Sequence, residues 1–188
     1  TQLASALSYC HEELKLLHRD VKPANVFMTT GGDVKLGDFG LCAYLADITK
    51  STEAVGTPLY MSPEILSGQP PDAGADVWAL GITLYEAMSL KPPWAELDDG
   101  YGGLQGGMAG LAKHVSAKSL PIEALKVANG GNYPPELCDA TSSLLAKKPA
   151  SRMGLKKLLA ELNKQPSIEE LAAQWGLSKE AAAAMAGI

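Results

Sequence analysis

The chain has 188 residues, 46% of them apolar and 20% charged, with a formal net charge of -5. That length is one ordinary domain or one lobe of a larger one, and the apolar content is enough to bury a core, which excludes wholesale disorder. The acidic balance argues against a general nucleic-acid binder, and the apolar runs are too short to span a bilayer. Cys10, Cys42 and Cys138 are scattered and odd in number; without zinc-site spacing they suit a reduced, intracellular and cytoplasmic setting. The sequence opens at Thr1, with no signal peptide, and reads as a fragment or processed piece.

Leu3, Ala6, Leu7 and Cys10 recur at helical spacing, so the chain is expected to open inside an amphipathic helix. A short apolar stretch, 14–17, leads to His18-Arg19-Asp20, after which Pro23 fixes a turn and disfavours helix at Lys22. Val26-Phe27-Met28 and Val34-Lys35-Leu36 flank Gly31-Gly32, which reads as a β-hairpin. Residues 47–54 are polar and aperiodic and are expected to form a mobile loop, ended by the turns of Gly56-Thr57-Pro58 and Ser62-Pro63-Glu64. Residues 75–90 form a helix with little polar surface, expected to be central to its domain, and Lys91-Pro92-Pro93 stops it. Six glycines between 98 and 110 mark a flexible insertion. Further helices are expected near 111–115, 122–128, 136–146 and 156–162, with the lysines around 147 and 156 on one solvated face. Ser167-x-x-Glu170 is a capping box that opens a last pair of short helices. The tail 163–188 contains LAAQWGLSKEA, similar to half of a helix-turn-helix. It lacks a basic stripe, so it suits packing or protein docking better than DNA contact.

Chemistry concentrates between His18 and Gly40. With Gly31-Gly32 as the turn, Thr30 faces Asp33 and, counting back, Asn25 faces Asp38. Opposite residues of an antiparallel pair lie about 5 Å apart. The hairpin therefore brings an amide oxygen and a carboxylate to one end, beside Asp20 and Lys22. Hard oxygen ligands with a lysine suit a magnesium–phosphate complex.

His18-Arg19-Asp20 with Asn25, then Asp38-Phe39-Gly40, then Ser62-Pro63-Glu64, resembles the ordered pattern of a protein-kinase catalytic lobe. Any triplet alone occurs by chance, whereas their order and spacing together are specific. The resemblance continues through GTPLYM (56–61), DVWALG (76–81) and KPASR (148–152) and covers residues 1–162. The wording HRDVKPANVFM, KLGDFGL and GTPLYMSPE is most similar to the NIMA-related serine/threonine kinases. The resemblance implies an α+β, predominantly helical large (C-terminal) lobe with a small β-hairpin. It also implies ATP and Mg2+ as cofactors, a protein substrate, and no nucleic-acid or membrane partner.

By the same resemblance, Asp20 handles the proton of the substrate hydroxyl, Lys22 neutralises the transferred phosphoryl group, and Thr57 sits under the substrate backbone near Asp20. Asn25 and Asp38 hold the metal, and Phe27 forms part of the adenine floor. His18 and Phe39 stack in the spine that links the lobes, and Asp76 holds the backbone near His18. Glu64 and Arg152 form a buried ion pair. Residues 41–55 become an activation segment, with Ser51 and Thr52 as phosphorylation candidates and Arg19 as the phosphate's partner. Glu53 stands where relatives carry a phosphorylatable threonine, so it either supplies part of that charge or is a solvated loop residue. NIMA-related kinases also suggest microtubule, centrosome or cilium association.

A glycine-rich phosphate lid, a strand lysine and its helix glutamate do not occur in these 188 residues. The expected partner is therefore an N-terminal kinase lobe, and apolar surface is expected where it docks. Two functions follow: phosphoryl transfer to serine or threonine, inactive in this piece alone, or a non-catalytic kinase-like interaction module.

Overall fold

The computed structural model describes residues 1–48, 54–91, 93–97 and 105–163. The chain order is helix α1 (Gln2–Glu12), strand β1 (Leu16–Leu17), strands β2 (Val26–Met28) and β3 (Val34–Leu36), strand β4 (Ala43–Tyr44) and a one-turn helix α2 (Leu45–Ile48). Then come α3 (Pro63–Leu66), α4 (Ala73–Ser89), α5 (Gly107–Ala117), α6 (Pro135–Leu144) and α7 (Leu155–Leu162). The only sheets among the described residues are two antiparallel pairs, β1 with β4 and β2 with β3. This is the mostly helical α+β lobe expected from the sequence.

Helix α4 organises the core. Asp72 caps its start by accepting from the Gly74 amide at 2.8 Å, and Leu90, left-handed at φ 53°, ends it. Every residue from Asp76 to Thr83 is buried, so the helix has core on all sides. One side packs Val77 and Leu80 against Leu7 of α1, Leu144 of α6 and Leu158 of α7. Another packs Trp78 and Ile82 against Trp94, Leu97 and the Leu111 and Val115 stripe of α5. Fully burying each of these large side chains is worth about 1.5–3 kcal/mol. Helix α1 buries Ala4, Leu7, Cys10 and His11; Leu7 and Cys10 belong to the face that its spacing predicts, while Leu3 and Ala6 are only partly buried. All three cysteines are free thiols. Among the described residues no helix is long and apolar enough to cross a membrane.

Four local expectations need correction. The hairpin turn holds three residues rather than two: Thr29 pairs with Asp33, and Gly32 takes the left-handed conformation (φ 84°) that closes such a loop. The register is Val26–Leu36, Phe27–Lys35, Met28–Val34, so Gly37, not Asp38, lies opposite Asn25. Helix α5 begins at Gly107, inside the glycine-rich stretch, because Leu111 and Val115 give it a core-facing stripe; residues 98–104 lie outside the described residues. Residues 122–129 form two 3-10 turns, Ile122–Leu125 and Val127–Asn129, rather than one helix. Extended Lys126 breaks them apart, pairing with Tyr133 across an isolated bridge.

The fourth correction concerns the lysines, which share no face. Lys156 is exposed and pairs with Glu12 at 2.9 Å. Lys147 is half-buried, its ammonium 5.3 and 5.4 Å from the ring centres of Trp78 and Trp94, and it donates to the Val115 and Lys118 carbonyls. Those carbonyls belong to the C-terminal end of α5, which attracts cations. Burial lowers the Lys147 pKa from its ordinary value. The capping box at Ser167 and the tail helices lie outside the described residues.

Candidate active site

The loop from His18 to Asn25 is fixed from beneath by α4. Asp76, almost wholly buried, accepts the His18 amide on Oδ2 and the Arg19 amide on Oδ1, each at 2.8 Å. His11 of α1 donates from Nε2 to the same Oδ2 at 2.7 Å. A buried carboxylate needs such saturation, since an unpaired charge in the core is costly. With its backbone clamped, Arg19 adopts φ 66°, outside the range most side chains favour. The fully buried His18 donates from Nε2 to the Gly37 carbonyl at 3.0 Å and accepts the Asp20 amide on Nδ1 at 3.3 Å, so its two contacts fix one neutral tautomer. Its ring meets Phe39 edge-on, the centroids 5.0 Å apart.

Above this base four polar side chains converge. Asp20 Oδ2 lies 2.8 Å from the Lys22 ammonium and 3.0 Å from the Asn25 amide nitrogen. Asp20 Oδ1 accepts the Thr57 hydroxyl at 2.6 Å and the Thr57 amide at 3.0 Å. Lys22 reaches Thr57 Oγ1 as well, at 2.7 Å, closing a ring of three groups. Burial alone would push the Asp20 carboxyl upward. The hydrogen bonds from Lys22, Thr57 and Asn25, with the Lys22 charge, outweigh it and hold the pKa below the ordinary aspartate value.

Asn25 spends its amide nitrogen on Asp20, donating to both the backbone and side-chain oxygens, so a cation held by Asn25 would be held through its amide oxygen. Asp38 follows Gly37, whose amide donates to the Asn25 carbonyl at 2.9 Å. It is exposed, left-handed at φ 58°, and its side chain takes the Gly40 amide at 3.3 Å. Among the described residues no group of three or more His, Cys, Asp or Glu side chains is set to hold a metal unaided. One amide oxygen and one carboxylate fit a magnesium ion, which keeps several waters and takes the rest of its shell from phosphates.

The remaining predicted residues sit around this centre. Phe27 is 55% exposed, and its Cε2 and Cδ2 atoms would stand 2.6 and 2.9 Å from a Cβ built on Gly37. Arg19 donates from Nε to the Leu41 carbonyl at 2.5 Å. Glu64 and Arg152 form a two-pronged buried pair at 2.7 and 3.0 Å, and Arg152 also donates to the Gly74 carbonyl. Ser51, Thr52 and Glu53 lie outside the described residues. Two contributors escape a reading of the sequence. His11 has a signal, a histidine on the buried stripe of α1. The hydrogen bond from the Tyr60 hydroxyl to Glu86 has none; burial, and then this bond, raise the Tyr60 pKa.

The family model for the protein kinase domain matches residues 1–162. This chain belongs to the protein kinase domain family. Among relatives of this kinase chain, serine/threonine-protein kinase Nek3 of Oryza sativa subsp. japonica is 35% identical over 171 residues, 90% of this chain and 26% of that protein. Mitogen-activated protein kinase kinase kinase 3 of Mus musculus is 44% identical over 101 residues, 52% of this chain and 16% of that protein. Probable serine/threonine-protein kinase mkcF of Dictyostelium discoideum is 48% identical over 92 residues, 49% of this chain and 13% of that protein. The kinase chain spans about a quarter or less of the length of these relatives. The rice protein, matched along nine-tenths of the chain, fits the NIMA-related wording of the motifs.

Proposed function

We propose that this chain is the catalytic lobe of an ATP-dependent protein serine/threonine kinase, working with a small lobe that closes over the nucleotide. The observation that carries the reading is the ring of Asp20, Lys22 and Thr57, joined at 2.6 to 2.8 Å with Asn25 turned into it. In-line phosphoryl transfer asks for positioning and charge stabilisation rather than a covalent intermediate, and this ring offers both.

Asp20 orients the substrate serine or threonine hydroxyl and takes its proton as the new phosphorus–oxygen bond forms and the bond from the γ-phosphorus to the ADP oxygen breaks, ADP leaving. Lys22 offsets charge on the transferred group and keeps Asp20 ionised. Thr57 holds Asp20 from the substrate side. Asn25 and Asp38 would hold magnesium, which when bound neutralises the nucleotide phosphates. Phe27 lies under the base, and Arg19 receives a phosphate on the segment 41–55.

The test is phosphorylation of serine-, threonine- and tyrosine-containing peptides by the full-length gene product and by residues 1–188 alone. Transfer to serine and threonine by the longer chain, lost on Asp20→Asn, and none by residues 1–188, is the expected result. Stoichiometric transfer by residues 1–188 would remove the need for a small lobe.

A second reading is a non-catalytic interaction module. It is favoured by the lack of a phosphate lid and strand lysine in these 188 residues. It is also favoured by apolar exposure at Tyr9, Leu14, Phe27, Met28, Phe39, Leu41 and Tyr44. A full-length product that binds partners equally well with and without Asp20→Asn, and transfers no phosphate, would select it.

A further inference from the structure

We propose that Gly56 is a positioning residue for the reacting carboxylate: it lets the segment ending in Thr57 cross the Arg19 carbonyl closely enough to place Thr57 on Asp20. The proposal rests on the phosphotransfer reading given above.

Gly56 has φ 117°, and a Cβ built on it would stand 2.3 Å from the Arg19 backbone oxygen and 3.8 Å from Asp20 Oδ1. Separations under 3.0 Å do not occur for real Cβ atoms, so one of the two backbones must retreat. The Arg19 side cannot. Its amide and that of His18 are both tied to the buried Asp76, whose carboxylate is itself held by His11. The Gly56 side can yield, because its neighbour Thr57 is secured mainly by the bonds that matter here, from its amide and hydroxyl to Asp20 and from Lys22 to its hydroxyl. Any side chain at 56 therefore falls on the Thr57–Asp20 contacts. A shift approaching 1 Å at a reacting group costs on the order of 100-fold in rate.

Gly68 supplies the control. It too is left-handed, at φ 74°, but has nothing within 4 Å of its Cβ position, so Gly68→Ala carries the backbone cost without the collision. The experiment compares the parent, Gly56→Ala and Gly68→Ala in the full-length gene product, reading thermal stability, kcat, nucleotide KM and hydrogen exchange of the Thr57 amide, which is bonded to Asp20. Gly56→Ala is expected to melt within a few degrees of Gly68→Ala, to lose about 100-fold in kcat with nucleotide KM unchanged, and to exchange the Thr57 amide faster than the parent. Gly68→Ala is expected to keep parental kcat and Thr57 exchange. The proposal is overturned by parental kcat in Gly56→Ala, by equal kcat loss in both variants, or by a Gly56→Ala protein that does not fold. In the last case the strain falls on the fold and not on the site. If the parent transfers no phosphate, the phosphotransfer reading falls; exchange of the Thr57 amide then decides whether Gly56 places Thr57 on Asp20, an unchanged rate overturning it.

Discussion

At Asp20 two opposing effects meet in one carboxylate. Burial disfavours its charge, yet three hydrogen-bond donors, one of them the Lys22 ammonium, more than compensate and hold its pKa below that of an ordinary aspartate. A carboxyl with a lowered folded pKa adds stability at pH values above its unfolded pKa, and that contribution disappears as pH falls through the folded pKa. Asp20→Asn should therefore lower the melting temperature at neutral pH, with the gap to the parent narrowing steadily as the pH drops below the usual carboxylate range. Thermal melts of both proteins from neutral to acid pH check this, and a constant gap would contradict it. On turnover the same substitution should cost about 100- to 10,000-fold, the range for removing a positioned acid–base group. The cluster of Asp20, Lys22 and Asn25 was legible from motif spacing, because the three are close in sequence, whereas Asp38 makes no hydrogen bond to them among the described residues. The one-residue error in the hairpin was not avoidable that way. A three-residue loop closed by left-handed Gly32 and a two-residue Gly31-Gly32 turn share the same letters, and only the hydrogen bond from the Gly32 amide to Thr29 separates them.

Between elements, charges far apart in sequence hold the lobe together. Glu64 opens α3 and Arg152 follows α6, yet both are buried and joined by two hydrogen bonds. Removing one partner of such a pair costs about 3–5 kcal/mol, because the survivor is left charged and unpaired. Glu64→Gln and Arg152→Leu should each destabilise by that amount in urea unfolding, and the double variant should cost clearly less than their sum. Lys147 acts at smaller scale, binding the last carbonyls of α5 beneath two indoles. Lys147→Met keeps much of the stem but loses the donors, which should cost about 1–3 kcal/mol. Amide exchange should accelerate at the end of α5 and leave α1 unchanged; uniform acceleration would mean a global effect instead. The difference in legibility is physical. The Glu64–Arg152 pair was visible through family resemblance, whereas a lysine after a helix carries no sign in its own periodicity that it turns inward to another helix's end.

For the whole lobe, the distribution of exposed apolar residues is uneven in a way that the core is not. Of the ten large hydrophobic residues that are strongly exposed among the described residues, seven fall between Tyr9 and Tyr44, the part of the chain that carries β1 to β4. The helices from α4 onward bury their stripes against one another and leave few such residues in solvent. Where such residues share one face, their exposure marks a surface made to be covered. Under the proposed function, a small lobe seated over the hairpin would cover it. Met28 is 73% exposed and Tyr44 60%, and neither contributes to the polar ring, so their substitution separates surface from chemistry. Residues 1–163 expressed alone should bind a hydrophobic dye and self-associate with rising concentration. Met28→Lys with Tyr44→Ser should weaken both behaviours while changing folding stability by no more than about 0.5 kcal/mol for each exposed site. Sedimentation velocity together with dye fluorescence provides the check. Undiminished association in the double variant would shift the sticky surface to the other exposed residues, Leu90, Met108 and Val127, and away from the face that a small lobe would occupy.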